Sequence, residues 1–517
     1  MPSAYRIRWP RLSRAPSVAD IVFAAAVTVF TVLAARVWWL SKLLPGQDYP
    51  QFLVFVRAVR DFGDPASPFH GTYTTGPWFV PTVLPIHLTN LLSYLFGGSI
   101  ESGGKLLLTL RDAGLVAAAI YLLKQLGRPR WAIALIFPLL DGPWSIVGGF
   151  ASFDTAFPLI VLGWALIVRW FDRLDLSSAI ALGAALCLTL FWHGIAYAQL
   201  GLAFAVLWLL WRAPSFRARL LAVVPCVPSL LQYALWVRST FGSDGPSAAP
   251  VWATPLAAAE SILDVVWVQV PERTMQALFL ACVVAFGLLA GSGNVGAIGR
   301  AGRMWIVRNP FLIVAAAYLL GYFVLPLHLS GVAGFSNRFA YPAALALIFG
   351  WNLPRGRLAR GVVVVGVFGL SAWLLTDLAD RFRALASRTD GASELMDRMG
   401  PRESLYYYPG PDAGAPEFYS PNKALQELEQ FATARHGGLP NSSFAGYGYT
   451  YVRYVNGQNP MPGLSGPPAW SPAMTRFDYV LVRGTNALSD PRFRKIDSRP
   501  GWELHGVCGS HRFPTCS

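Results

Sequence analysis

Residues 18–40 read VADIVFAAAVTVFTVLAARVWWL, preceded by Arg6, Arg8, Arg11 and Arg14 and followed by Gly46-Gln47-Asp48-Tyr49-Pro50. As a helix rising 1.5 Å per residue, such a run crosses the roughly 30 Å hydrocarbon core of a bilayer. A secretory signal is the competing reading, but its apolar core is only about 7–15 residues long. This run is longer, no convincing cleavage site follows it, and many further apolar runs come after it. It is expected to be the first of many spans, with the basic N-terminus, residues 1–17, in the cytoplasm.

The composition agrees. Of 517 residues, 54% are hydrophobic and 14% charged, against about 25% charged in a soluble domain. That excludes a cytosolic globular enzyme, a disordered chain and a disulfide scaffold. The net charge of +14 lies in short Arg clusters between apolar runs, with no basic face, so it marks membrane loops and not a nucleic-acid partner. Cys187, Cys226 and Cys282 fall in apolar runs, as small core residues do. Cys508 and Cys516 lie together in the polar tail, where a disulfide is plausible outside the cytoplasm.

Working outward, residues 41–104 hold an amphipathic segment (48–62), a Pro/Gly-rich loop and a Pro-interrupted apolar segment (78–96). Taking 78–96 as a juxtamembrane or re-entrant element keeps Lys124, Arg128 and Arg130 inside. Further spans are expected near 106–123, 131–147, 153–169, 177–192, 195–211, 220–237, 274–290, 310–328, 336–353 and 361–376. The fold class is thus an α-helical polytopic membrane protein of about eleven transmembrane helices over 18–376. An odd count puts residues 377–517 outside, as a small α/β extracytoplasmic domain with β-like runs at 404–408, 477–483 and 502–507 and a helix-like run at 422–434.

On this topology the ionisable residues at span ends collect on the outer side: Asp48, Arg111, Asp112, Asp141, Asp154, His193, His328 and Arg338. A charge in a bilayer costs about 2.5–3.5 kcal/mol on insertion scales, so each is a functional candidate. Each also has a plain structural use. Asp48 and Asp154 suit helix caps, and Asp141 and His193 suit turns. Arg338 suits a snorkelling anchor, and Arg111 and Asp112 can satisfy one another. An outer carboxylate beside Arg and His fits transfer from a lipid-phosphate donor. The carboxylate would act as general base or help hold a divalent metal, Mg or Mn. Arg suits phosphate because its planar fork binds two oxygens.

The chain resembles the C-type (GT-C) membrane glycosyltransferases, in particular bacterial mannosyltransferase-like members. Four features carry this: Gln47-Asp48-Tyr49 opening the first outer loop; the amphipathic and Pro-bearing segments within it; Gly148-Gly149-Phe150-Ala151-Ser152-Phe153-Asp154; and Asn337-Arg338-Phe339-Ala340-Tyr341-Pro342. The resemblance implies a polyprenyl-phosphate-linked sugar as donor and a glycan, lipid or protein acceptor, at the outer face of a bacterial inner membrane. It implies Asp48 as catalytic base, Asp154 as a second acidic site residue and Arg338 as a ligand of the lipid phosphate; His193, His328, Arg111 and Asp141 are expected around the substrate from their placement alone. Tyr49 follows Asp48, so the acidic pair of some families is absent, and no acidic residue stands just before Arg338. The competing readings are a polysaccharide polymerase or ligase, a lipid flippase or transporter, and a non-catalytic relative.

Overall fold

The computed structural model describes residues 17–44, 46, 48–140, 150–240, 249–266, 309–329, 332, 334–351, 357–408, 427–443, 445, 450–484 and 488–515. Helix α1 spans Val18–Val37 and opens with a capping box, in which Ser17 and Asp20 each satisfy the other's backbone N–H. Helix α2, Tyr49–Asp61, is the amphipathic segment and buries most of its apolar side chains. After strand β1 (Tyr73–Thr75), helix α3 (Val83–Ser93) lies against α4 (Ile100–Gln125). The approach is close because α4 presents glycine there. A Cβ on Gly103 would lie 2.6 Å from the Thr89 carbonyl oxygen, so only a bare Cα admits α3 at this depth.

Past α4, a 3-10 turn (Arg130–Ile136) leads into α5 (Phe137–Leu140). A short helix, α6 (Ala151–Asp154), precedes α7 (Phe157–Arg173), which packs along α4. Helices α8 (Leu176–Trp192) and α9 (Gly194–Leu210) form a tight antiparallel pair. Then come α10 (Phe216–Leu221), α11 (Val227–Thr240), α12 (Pro255–Val266), α13 (Pro310–Val324) and α14 (Ala340–Gly350). Among the described residues five helical stretches are long and apolar enough to cross a membrane: 18–37, 100–125, 151–173, 216–239 and 360–396. Leu176–Trp192, Gly194–Leu210 and Pro310–Val324 are apolar but shorter. The expected span at 274–290 lies outside the described residues.

Helix α15 runs unbroken from Arg357 to Met396, 40 residues, or about 60 Å. It is twice as long as the roughly 30 Å a bilayer core requires. The expected boundary at Asp377 therefore falls inside a helix. Asp377–Arg381 and Asp380–Arg383 ion pairs continue the helix where the apolar run stops, and its far end packs on the C-terminal sheet.

That sheet has four strands in the order β2-β4-β6-β5, where β2 is Leu405–Tyr408, β4 Tyr479–Arg483, β5 Phe493–Arg499 and β6 Trp502–Val507. β2 runs parallel to β4; the other pairs are antiparallel. Strand alternation sends Tyr479 and Leu481 into the main core and Val480 and Val482 into a second one with Met461, Phe477 and Phe493. Helix α16 (Glu429–His436) lies on α2. Strand β3 (Val452–Tyr454) pairs antiparallel with β1, so the C-terminal part is stitched to the segment between α1 and α3 at two places.

Candidate active site

Asp48 holds the N-cap position of α2, yet its carboxylate takes no backbone N–H of the first turn. Pro50, in the first turn, has no N–H that needs a partner. Helices α2 and α16 lie parallel: Tyr49 faces Phe431 (ring centroids 6.3 Å apart), and Arg57 donates to the carbonyl of Arg435 at 3.0 Å. This brings Glu427 and Glu429 to the Asp48 end of α2. Burial and the neighbouring Glu429 and Asp48 carboxylates push Glu427 well above the ordinary carboxyl range. Burial pushes Glu429 up to about 8. Helix α2 also touches α6, the turn that ends in Asp154.

The 150–154 turn has two sides. On one, Asp154 and Arg111 approach at 3.3 Å, with both side chains sealed from solvent. Arg111 donates to Asp112 at 2.6 Å and to the Tyr341 hydroxyl at 3.3 Å. Trp38 Nε1 donates to the other Asp112 oxygen at 2.7 Å, and the Tyr341 hydroxyl donates to the Leu139 carbonyl at 2.6 Å. On the other side, the Arg338 guanidinium lies over the Phe150 ring at 4.2 Å and the Phe153 ring at 5.4 Å. Phe153 is also edge-on to His193, with centroids 5.2 Å apart. Arg338 Nη1 sits 3.4 Å from His193 Nε2. His193 is the N-cap of α9, and its Nδ1 accepts the Ile195 N–H at 3.2 Å. Gln199 Nε2 holds the Arg338 carbonyl at 2.9 Å, and the Tyr318 hydroxyl donates to the Gln199 carbonyl at 2.7 Å.

The structure thus brings Arg338, His193 and the Asp154 turn together. Arg111 and Asp154, expected at the substrate, are engaged with each other behind that turn. His328 pairs its backbone with Val251 in an isolated bridge (3.0 and 3.1 Å). Among the described residues its ring hydrogen-bonds to none of the other candidates. Asp141 lies outside the described residues. Among the described residues no group of three or more His, Cys, Asp or Glu side chains gathers in a way that could hold a metal ion.

No family model matches the chain, and no curated protein does. Solved structures do. ArnT from Cupriavidus metallidurans, bound to undecaprenyl phosphate, superposes with a TM-score of 0.58 at 14% identity, over 96% of this chain and 99% of that one. The same protein in the apo state gives 0.52 at 13%, over 95% and 98%. Arabinofuranosyltransferase AftD from Mycobacteria gives 0.49 at 14%, over 95% of this chain and 40% of that one. The chain shares its fold with ArnT along nearly the full length of both chains.

Within this fold several residues escape a reading of the sequence. Phe150 and Phe153 are visible as part of a motif but not as seats for a guanidinium. Tyr341 stands three residues after Arg338, and a Tyr hydroxyl in a late span needs a partner; that is the one signal for the Arg111 cluster. Gln199 carries no local signal, because its partners Arg338 and Tyr318 come from other elements.

Proposed function

We propose that the chain is an integral membrane glycosyltransferase that moves a sugar from a polyprenyl-phosphate donor to an acceptor hydroxyl on the outer face of a bacterial inner membrane. One observation carries the reading. His193 meets a donor at each ring nitrogen: the Ile195 N–H at Nδ1 and the Arg338 guanidinium at Nε2. A neutral imidazole has one lone pair and one N–H. With Nδ1 accepting, Nε2–H and the guanidinium turn two donors towards one space. A phosphate oxygen placed in that space can accept from both.

In this reading Arg338 and His193 bind the donor phosphate. Asp48 takes the proton of the acceptor hydroxyl as its oxygen attacks the anomeric carbon. The new carbon–oxygen bond forms, the bond to the phosphate oxygen breaks, and polyprenyl phosphate leaves with the electron pair. Asp154 and Arg111 act from behind: their ion pair anchors the turn that sets Phe153 against both His193 and Arg338. The acceptor is a glycan, lipid or protein hydroxyl. We infer eleven spans over 18–376, an internal N-terminus and an external C-terminal domain at 377–517. The disulfide at Cys508 supports that side, since disulfides persist outside the cytoplasm.

The test is to express Asp48→Asn and Arg338→Ala variants that still insert, and to compare cell-envelope glycans and lipid-linked sugar turnover with wild type. Both should lose the product. Unchanged glycans from Asp48→Asn remove the proposed base.

A further inference from the structure

The loop between β1 and α3, residues 76–82, touches the His193 turn on both sides of the histidine. Trp78 stacks on Phe191, with centroids 5.6 Å apart and planes at 26°. Pro81 abuts Gly194, where a Cβ would meet Trp236 at 3.0 Å and Pro81 at 3.4 Å. The glycine is what lets the loop and α11 close over the turn. Trp78 is 70% exposed, so its stack does not fill a core.

The loop's other end belongs to the C-terminal domain. Tyr73, Thr74 and Thr75 pair with Tyr454, Arg453 and Val452, and the Tyr73 and Tyr454 rings stack at 5.1 Å. Gly76 N–H then donates to the Tyr451 carbonyl at 2.6 Å, and the Tyr451 hydroxyl meets His87 Nε2 at 3.1 Å. The segment ends on Thr82 at φ 74°, a left-handed backbone that a β-branched residue resists unless its surroundings impose it.

We propose that residues 76–82 form a strap by which the C-terminal domain sets the His193–Arg338 site, with Trp78 as the positioning residue. The proposal rests on the reading of that site as the phosphate site. The domain holds the strap through β3, and the strap holds Phe191 and Gly194. Those two residues fix where His193 presents Nε2 to Arg338.

The test uses the full chain in lipid nanodiscs with undecaprenyl phosphate as the probe. Trp78→Ala should weaken binding about 3–10-fold, the loss of one aromatic stack, and Trp78→Phe should restore it to within about twofold. Tyr454→Ala, at the far end of the clasp, should weaken it in the same direction. If Trp78→Ala does not insert, Trp78→Leu keeps the apolar bulk without the stack and should show the same loss. Wild-type affinity in Trp78→Ala or Trp78→Leu, with binding lost in Arg338→Ala, overturns the strap and leaves the phosphate site standing. Equal losses in Trp78→Ala and Trp78→Phe, each with a lowered melting temperature, reduce Trp78 to a structural role and also overturn it. Wild-type affinity in Arg338→Ala removes the phosphate site itself.

Discussion

Arg111 Nε lies 3.3 Å from the Asp154 carboxylate, with neither side chain open to solvent. Asp112 shares the same guanidinium at 2.6 Å. One cation therefore serves two buried carboxylates, and it is the member whose loss leaves the most charge unpaired. Arg111→Ala should destabilise the fold by about 3–5 kcal/mol. The triple change Arg111→Met, Asp112→Asn, Asp154→Asn should recover most of that. Thermal unfolding in nanodiscs decides: a triple variant no more stable than Arg111→Ala would show that the cluster matters for something other than charge balance.

The amphipathic helix at 49–61 was legible because its apolar residues recur at helical spacing. That Arg338 and His193 belong together was legible because loop charge assigns both to the same ends of their spans. What stayed hidden is set by packing between distant segments. Asp154 reads as a cap for the helix after it, but Arg111 on α4 claims its carboxylate, and no local rule reports that neighbour. Strand β5 reads Phe-Arg-Lys-Ile-Asp-Ser-Arg and looks like loop. It is the edge of the sheet, where charge protects against pairing with other chains and overwrites the alternation. The apolar run stops near Asp377, and that stop says nothing about a helix continued by ion pairs.

Docking of α16 on α2 should weaken as pH rises. Glu429 is 5% exposed and its carboxyl is pushed up from 4.5 to about 8 by burial. The docked state therefore holds a proton that an exposed carboxyl gives up. By linkage the favourable docking energy is full below pH 4.5 and falls away up to about 8, by on the order of 3–5 kcal/mol. Glu427, raised for related reasons, acts with the same sign. Hydrogen exchange of the α16 amides between pH 5 and 8 should show protection falling in wild type and a flatter profile in Glu429→Gln. Identical profiles would mean that Glu429 ionises without cost.

The cysteines should separate by chemistry. Cys508 is disulfide-bonded, while Cys187 and Cys226 are free thiols. In unfolded, unreduced protein, a maleimide should modify Cys187 and Cys226 and leave Cys508 unmodified until a reductant is added. Modification of Cys508 before reduction would remove the support that its disulfide gives to an external C-terminal domain.

The two donors at the proposed phosphate site can be weakened one at a time without unfolding what holds them. Arg338→Lys keeps the positive charge but loses the planar fork and the contact with Phe150 and Phe153. Undecaprenyl phosphate should bind about tenfold more weakly or worse, because a charged hydrogen bond contributes about 1.5–3 kcal/mol. His193→Asn is the subtler change. Asn is a good N-cap, so α9 should keep its start, but the shorter side chain no longer reaches Arg338. Helix content and melting temperature should hold while affinity drops several-fold. If Arg338→Lys binds like wild type, charge alone attracts the lipid, and the paired-donor geometry at His193 has no part in recognition.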